Sequence, residues 1–82
     1  MKVTNQWTEV PLSTDSTFTT IQNIGGPRIE VKLDASLPAD NENAYLLESL
    51  KSLTFDHTSD TRKMYARCGY MKDGQETNLT VS

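Results

Sequence analysis

Only one cysteine, Cys68, occurs in the 82 residues, so no intrachain disulfide can form and a cysteine-based zinc cluster is excluded. Histidine is as scarce, with His57 alone. A hydrolytic nucleophile needs a base to activate it, and His57 is the only imidazole this chain offers for that task. Basic residues are in the minority, 8 Lys and Arg against 11 Asp and Glu, for a net charge of -3. Spread along the chain, they make no positive footprint for a phosphate backbone, so nucleic acid is not an expected partner. Long aliphatic runs are missing, and residues 1–25 hold no hydrophobic region followed by a cleavage site. The expectation is therefore no membrane association. A lone cysteine also fits synthesis in a reducing cytoplasm.

What is present is enough for one domain, residues 1–82. A chain of this size buries only about 60% of the surface that it exposes when unfolded, so its stability alone is expected to be marginal. With disulfides and cysteine-bound metal excluded, association with other subunits is the expected source of further burial.

The clearest pattern lies in residues 28–35, where Ile29, Val31, Leu33 and Ala35 alternate with Arg28, Glu30, Lys32 and Asp34. One face is apolar and the other charged, the signature of a half-buried strand. Residues 16–24 are rich in Thr, Phe and Ile, which suits a strand, and Gly25-Gly26-Pro27 breaks it. Residues 16–35 are thus expected to form a β-hairpin with a slightly long turn. Residues 7–12 predict a short strand, placed at an edge or ended by Pro11. In residues 62–70, Met64, Ala66, Cys68 and Tyr70 share one face while Lys63, Tyr65 and Arg67 share the other. Asp73-Gly74 suits a tight turn, and Leu79 and Val81 mark one side of a strand that follows, so residues 62–82 are expected to form a second hairpin. Asn78-Leu79-Thr80 matches a glycosylation acceptor only formally, because the tripeptide is common by chance.

Between the hairpins, Leu46, Leu47, Leu50 and Leu53 recur at helical spacing behind an Asp40-Asn41 cap signal, which would allow one short helix around residues 41–51. The competing reading, which we prefer, makes residues 44–47 a strand and Glu48-Ser49 a turn. Six or seven short strands with turn signals between them imply an all-β fold, a small antiparallel β-sandwich or jelly-roll-like barrel.

Few residues invite chemistry. Asp56-His57-Thr58-Ser59-Asp60 is five polar residues in a row, and is expected to be a solvated loop. Asp40-Asn41-Glu42-Asn43 has oxygen ligands but lacks a calcium-loop spacing and its glycine, so it too is expected to be a polar loop. Gly25-Gly26 is too short to cradle a phosphate. No enzymatic activity, cofactor or metal is expected. Trp7, Tyr45, Tyr65 and Tyr70 are candidates for a sugar-stacking platform or an interface anchor. Tyr65 stands out because it alternates with Lys63 and Arg67 on a polar face. Trp7, Lys63, Tyr65 and Arg67 are accordingly the candidate interface residues.

Several segments together resemble small accessory structural proteins of tailed bacteriophages, including head decoration proteins. They are Trp7-Thr8-Glu9-Val10, Phe18-Thr19-Thr20-Ile21-Gln22-Asn23-Ile24-Gly25, Ile29-Glu30-Val31, Ser36-Leu37-Pro38-Ala39, Met64-Tyr65-Ala66-Arg67 and Leu79-Thr80-Val81-Ser82. Leu47-Glu48-Ser49-Leu50-Lys51 departs from the glycine-containing turn that the resemblance would place there. It implies a small β-sandwich without enzymatic activity, made in the bacterial host cytoplasm and assembled on the virion, often as a trimer. The expected function is a head decoration or cementing subunit that binds the major capsid protein. The alternative is a tail or fibre-associated module that binds a receptor or carbohydrate.

Overall fold

A computed structural model of the chain describes residues 1–39, 44–68 and 76–82, and among them it contains eight strands and no helix. The strands are β1 (Lys2–Thr4), β2 (Thr8–Val10), β3 (Phe18–Asn23), β4 (Ile29–Asp34), β5 (Tyr45–Leu47), β6 (Ser52–Asp56), β7 (Lys63–Cys68) and β8 (Glu76–Val81). They form two four-stranded antiparallel sheets, ordered β1-β8-β3-β6 and β2-β7-β4-β5, packed face to face. β1 pairs with β8, β2 with β7, β3 with β6 and β4 with β5. The chain is thus one long hairpin folded at the β4–β5 connection and then rolled up. The pairs β3 with β8 and β4 with β7 close the two sheets. This is the strand order of a jelly roll.

The expected hairpins are not formed, although their strands are. β3 and β4 lie in different sheets, as do β7 and β8. The alternating pattern places Ile21, Ile29 and Val31 on buried faces, but two such faces are satisfied equally well side by side in one sheet or opposed across a sandwich. Here they are opposed, and residues 24–28 carry the chain across the roughly 10 Å between layers instead of back along its own edge. The expected turn at Asp73-Gly74 lies outside the described residues.

The short helix around 41–51 is not formed either, and residues 41–43 lie outside the described residues. Of the four leucines at helical spacing, Leu47 is buried, Leu53 is partly covered, and Leu46 and Leu50 are exposed, so they share no face. Leu47 instead pairs with Ile29 in β4. Leu50, at φ 67°, stands in the left-handed region that a right-handed helix cannot include. β1 went unforeseen, because its three residues carry only one buried side chain, Val3.

All eight strands contribute to a single apolar core, from Val3 of β1 to Leu79 of β8, with Ile21, Ile29 and Met64 fully buried among them. The polar exception at its upper end is Asn23, the last residue of β3, which is completely closed to solvent. Its amide nitrogen donates to the carbonyls of Pro27 (2.8 Å) and Leu47 (3.0 Å). Its amide oxygen accepts from the Gly25 N–H (3.1 Å) and the Thr77 hydroxyl (3.4 Å). A primary amide has two donors and two acceptor sites, so every one is used. The Asn23 backbone also binds the β5–β6 turn, donating to Lys51 O and accepting from Leu50 N–H.

Two consequences can be measured by urea unfolding. Asn23→Ala leaves the buried Leu47 carbonyl without this donor and opens a small cavity, and should cost about 3 kcal/mol. Gly25→Ala places a Cβ 1.6 Å from Thr77 Oγ1 and 2.9 Å from Thr77 Cβ, which forces the connection off β8. It should also destabilise, and adding Thr77→Gly should restore part of the loss.

Candidate functional site

The four candidate interface residues converge on one surface, the outer face of the β2-β7-β4-β5 sheet. Lys63, Tyr65 and Arg67 alternate outward along β7, opposite Asp34, Lys32 and Glu30 of β4, with Glu9 of β2 opposite Tyr65. Trp7 precedes β2 on the same face. The Arg67 guanidinium lies over the Trp7 ring at 4.4 Å, and its Nε donates to Glu30 Oε1 at 2.6 Å. Lys63 Nζ is 3.9 Å from Glu9 Oε1. The charge that the sequence places on this face is therefore largely spent within the chain.

Trp7 and Tyr65 are not available as open rings. They are 8% and 4% exposed, yet neither belongs to the core between the sheets. The Trp7 indole N–H donates to the Ala39 carbonyl at 3.2 Å, and Pro38 is buried. The chain leaves β4 at Asp34, while Trp7 sits level with Arg67 and Glu30 near the opposite end of that strand. Residues 35–39 must therefore run back over the outer face to reach it. They act as a strap that seals Trp7 and Tyr65. Sequence alternation placed these rings outward and had no signal for the strap, since a Pro-Ala segment after a strand looks like any loop. Of the proposed stacking rings only Tyr45 is open among the described residues, and Tyr70 lies outside them.

The other outer face has a different chemistry. Along β3, Phe18, Thr20 and Gln22 point away from the core, flanked by Thr54 and Ser52 of β6 and by Thr80 and Asn78 of β8. Thr20 and Thr54 share a hydroxyl hydrogen bond of 2.9 Å across the strands. Among the described residues of this sheet, charges appear only at its margins, in the pair Lys2 and Glu76 and in Asp56. Phe18 and, just beyond β3, Ile24 are both about half exposed. Composition alone could not reveal this face, because its members come from three strands far apart in the chain.

The polar loop 57–62 is local structure. His57 Nε2 lies 3.0 Å from Thr19 Oγ1, which also accepts the Ser13 N–H at 2.8 Å. Thr19 is fully buried. A hydroxyl closed to solvent and engaged on two sides gives a substrate no approach, so the pair ties the β2–β3 connection to the end of β6. Asp56 accepts from the hydroxyl and backbone N–H of Thr58, and these bonds lower its pKa. The Arg62 guanidinium and N–H hold Asp60 at about 2. Together these residues line a shallow, open depression. Among the described residues no three His, Cys, Asp or Glu side chains converge as metal ligands. The Asp40-Asn41-Glu42-Asn43 stretch lies outside them. Cys68 is buried with its thiol donating to the Val3 carbonyl, and burial raises its pKa.

Arg67→Ala should uncover Trp7 and leave the half-buried Glu30 without this cation, at a cost of about 2 kcal/mol. Tryptophan emission should shift to the red in the folded variant. Arg67→Lys should recover less than half of the loss, because an ammonium cannot both stack on the ring and donate from a planar Nε. No protein-family model matches this chain, and no curated protein or solved structure matches it either.

Proposed function

We propose that this chain is a non-enzymatic structural component of a tailed-bacteriophage particle, a head decoration or cementing subunit that binds the major capsid protein. The observation that supports this reading is the jelly-roll wrap, an architecture that recurs in viral capsid and lectin domains. Of the six segments that resemble phage accessory proteins, five overlap its strands, 7–10 with β2, 18–25 with β3, 29–31 with β4, 64–67 with β7 and 79–82 with β8, while 36–39 lies in the connection after β4.

The attachment surface that best suits the role is the outer face of β1-β8-β3-β6. Interface centres are depleted in charge and enriched in aromatics, and this face offers Phe18 among short hydroxyl and amide side chains. The threonine and serine side chains among them lose little conformational entropy on contact compared with Lys or Glu. A subunit seated there on neighbouring capsid proteins would bind the assembled shell and not its separated parts. At a free concentration 100-fold above its Kd, that preference is worth about 2.7 kcal/mol per site.

Co-sedimentation with isolated phage heads and tails tests the assignment. The chain should pellet with heads and raise their resistance to heat. Gln22→Glu combined with Thr80→Glu should reduce the bound fraction at least about tenfold by placing charge in a contact of this kind, while Lys63→Glu should leave it unchanged. Pelleting with tails alone would reassign the chain to a tail module, and pelleting with neither would overturn a virion role.

A further inference from the structure

Four strands lie at sheet edges, and three of them, β1, β2 and β5, are only three residues long. β6 is different. It presents five residues, Ser52-Leu53-Thr54-Phe55-Asp56, with no proline and no internal charge, and among the described residues no strand pairs with its outer side. Exposed edges in natural sheets are commonly guarded by shortness, charge or proline, and this one has none of those guards before its last residue.

The hydrogen bonds fix what that edge displays. His57 N–H donates to Thr17 O and Asn23 N–H to Lys51 O, so the odd-numbered residues of β6 turn their backbone groups toward β3. Ser52, Thr54 and Asp56 therefore direct N–H and C=O outward. An antiparallel register centred on Thr54 against Thr54 of a second copy brings these groups into phase and allows roughly six backbone hydrogen bonds. The side chains agree with that register. Ser52 meets Asp56 of the second copy, a hydroxyl donor facing a carboxylate, and Leu53 meets Phe55 on the core side. No like charges are opposed.

The surroundings favour the same occupant. Seven large hydrophobic residues stand exposed among the described ones, and five of them flank this side. Tyr45 and Leu46 lie on β5, Leu50 on the turn into β6, and Phe18 and Ile24 at the two ends of β3, the neighbour of β6. β5 and β6 share one side of the sandwich, since β1 packs against β7 on the other.

We propose that two copies of this chain pair antiparallel through β6 about a two-fold axis at Thr54. Their β1-β8-β3-β6 sheets then become one continuous eight-stranded sheet with a doubled charge-poor face. The dimer does not depend on what that face binds, so its failure and the failure of the virion assignment are separate results.

Light scattering on the full chain during size exclusion should give twice the 9.2 kDa chain mass. Thr54→Pro removes an N–H that only the second copy uses and leaves the backbone bonds between β3 and β6 in place, at the loss of the Thr20–Thr54 hydroxyl bond. It should remain cooperatively folded with Kd weakened by about 100-fold or more. Thr54→Cys should oxidise to a disulfide-linked dimer, since paired Cα atoms at about 5.5 Å fall within disulfide reach. The buried Cys68 should not compete. A monomer at every concentration, a trimer, or a dimer that Thr54→Pro leaves intact would overturn the pairing. If the proline variant does not fold, failure of Thr54→Cys to cross-link overturns it in the same way.

Discussion

The rolled arrangement of this chain depends on one buried amide. Asn23 sits where β3 ends, and its four hydrogen-bonding positions are filled by Gly25, Pro27, Leu47 and Thr77. Those partners belong to the β3–β4 connection, to β5 in the opposite sheet and to β8 in its own. A primary amide in a dry interior tolerates no missing partner, because each unsatisfied group keeps its full desolvation cost. The requirement propagates outward. Gly25 must approach β8 so closely that a Cβ there would overlap Thr77, and the β5–β6 turn must return to Asn23 through Leu50. Apolar packing holds the two sheets together, while this amide specifies which segments meet at that end.

The wrap also explains why the two outer faces differ so much. Sheet β2-β7-β4-β5 carries most of the ionic groups of the strands, and they engage one another across β7, with Arg67 shared between Glu30 and Trp7. The strap at 35–39 then closes the aromatic residues of that face. Sheet β1-β8-β3-β6 has short polar side chains, exposed Phe18 and a long free edge at β6. A face whose charges are paired internally is well suited to water, and one with few charges costs less to desolvate. The attachment face and the dimer edge both fall on the second sheet for that reason.

Folding such a chain is expected to be slow for its size. Among the described strands only β4 and β5 are neighbours both in sequence and in a sheet, so nearly every strand pair must close a long loop before it gains contacts. The pair β1 with β8 joins opposite ends of the chain.

Residues 29–34 show how far the sequence by itself reached. Strict alternation there determined a strand, its buried face and its charged face, and the same logic located most of β3, β7 and β8. It also ruled out an intrachain disulfide, since Cys68 is alone. Period-two patterning is local and survives any arrangement that buries one face. For that reason it could not say which strands pair, and it suggested hairpins where the chain crosses between sheets. Leu46, Leu47 and Leu50 carried a helical spacing that pairing with β4 overrode. Trp7 and Tyr65 lay on the expected outward face, but the strap that covers them comes from residues some thirty positions away in sequence from either ring. Strand partners, the role of Asn23, the sealing of the aromatic residues and the open edge of β6 are long-range facts. Only the tertiary structure decided them, because each depends on segments brought together after the chain is rolled.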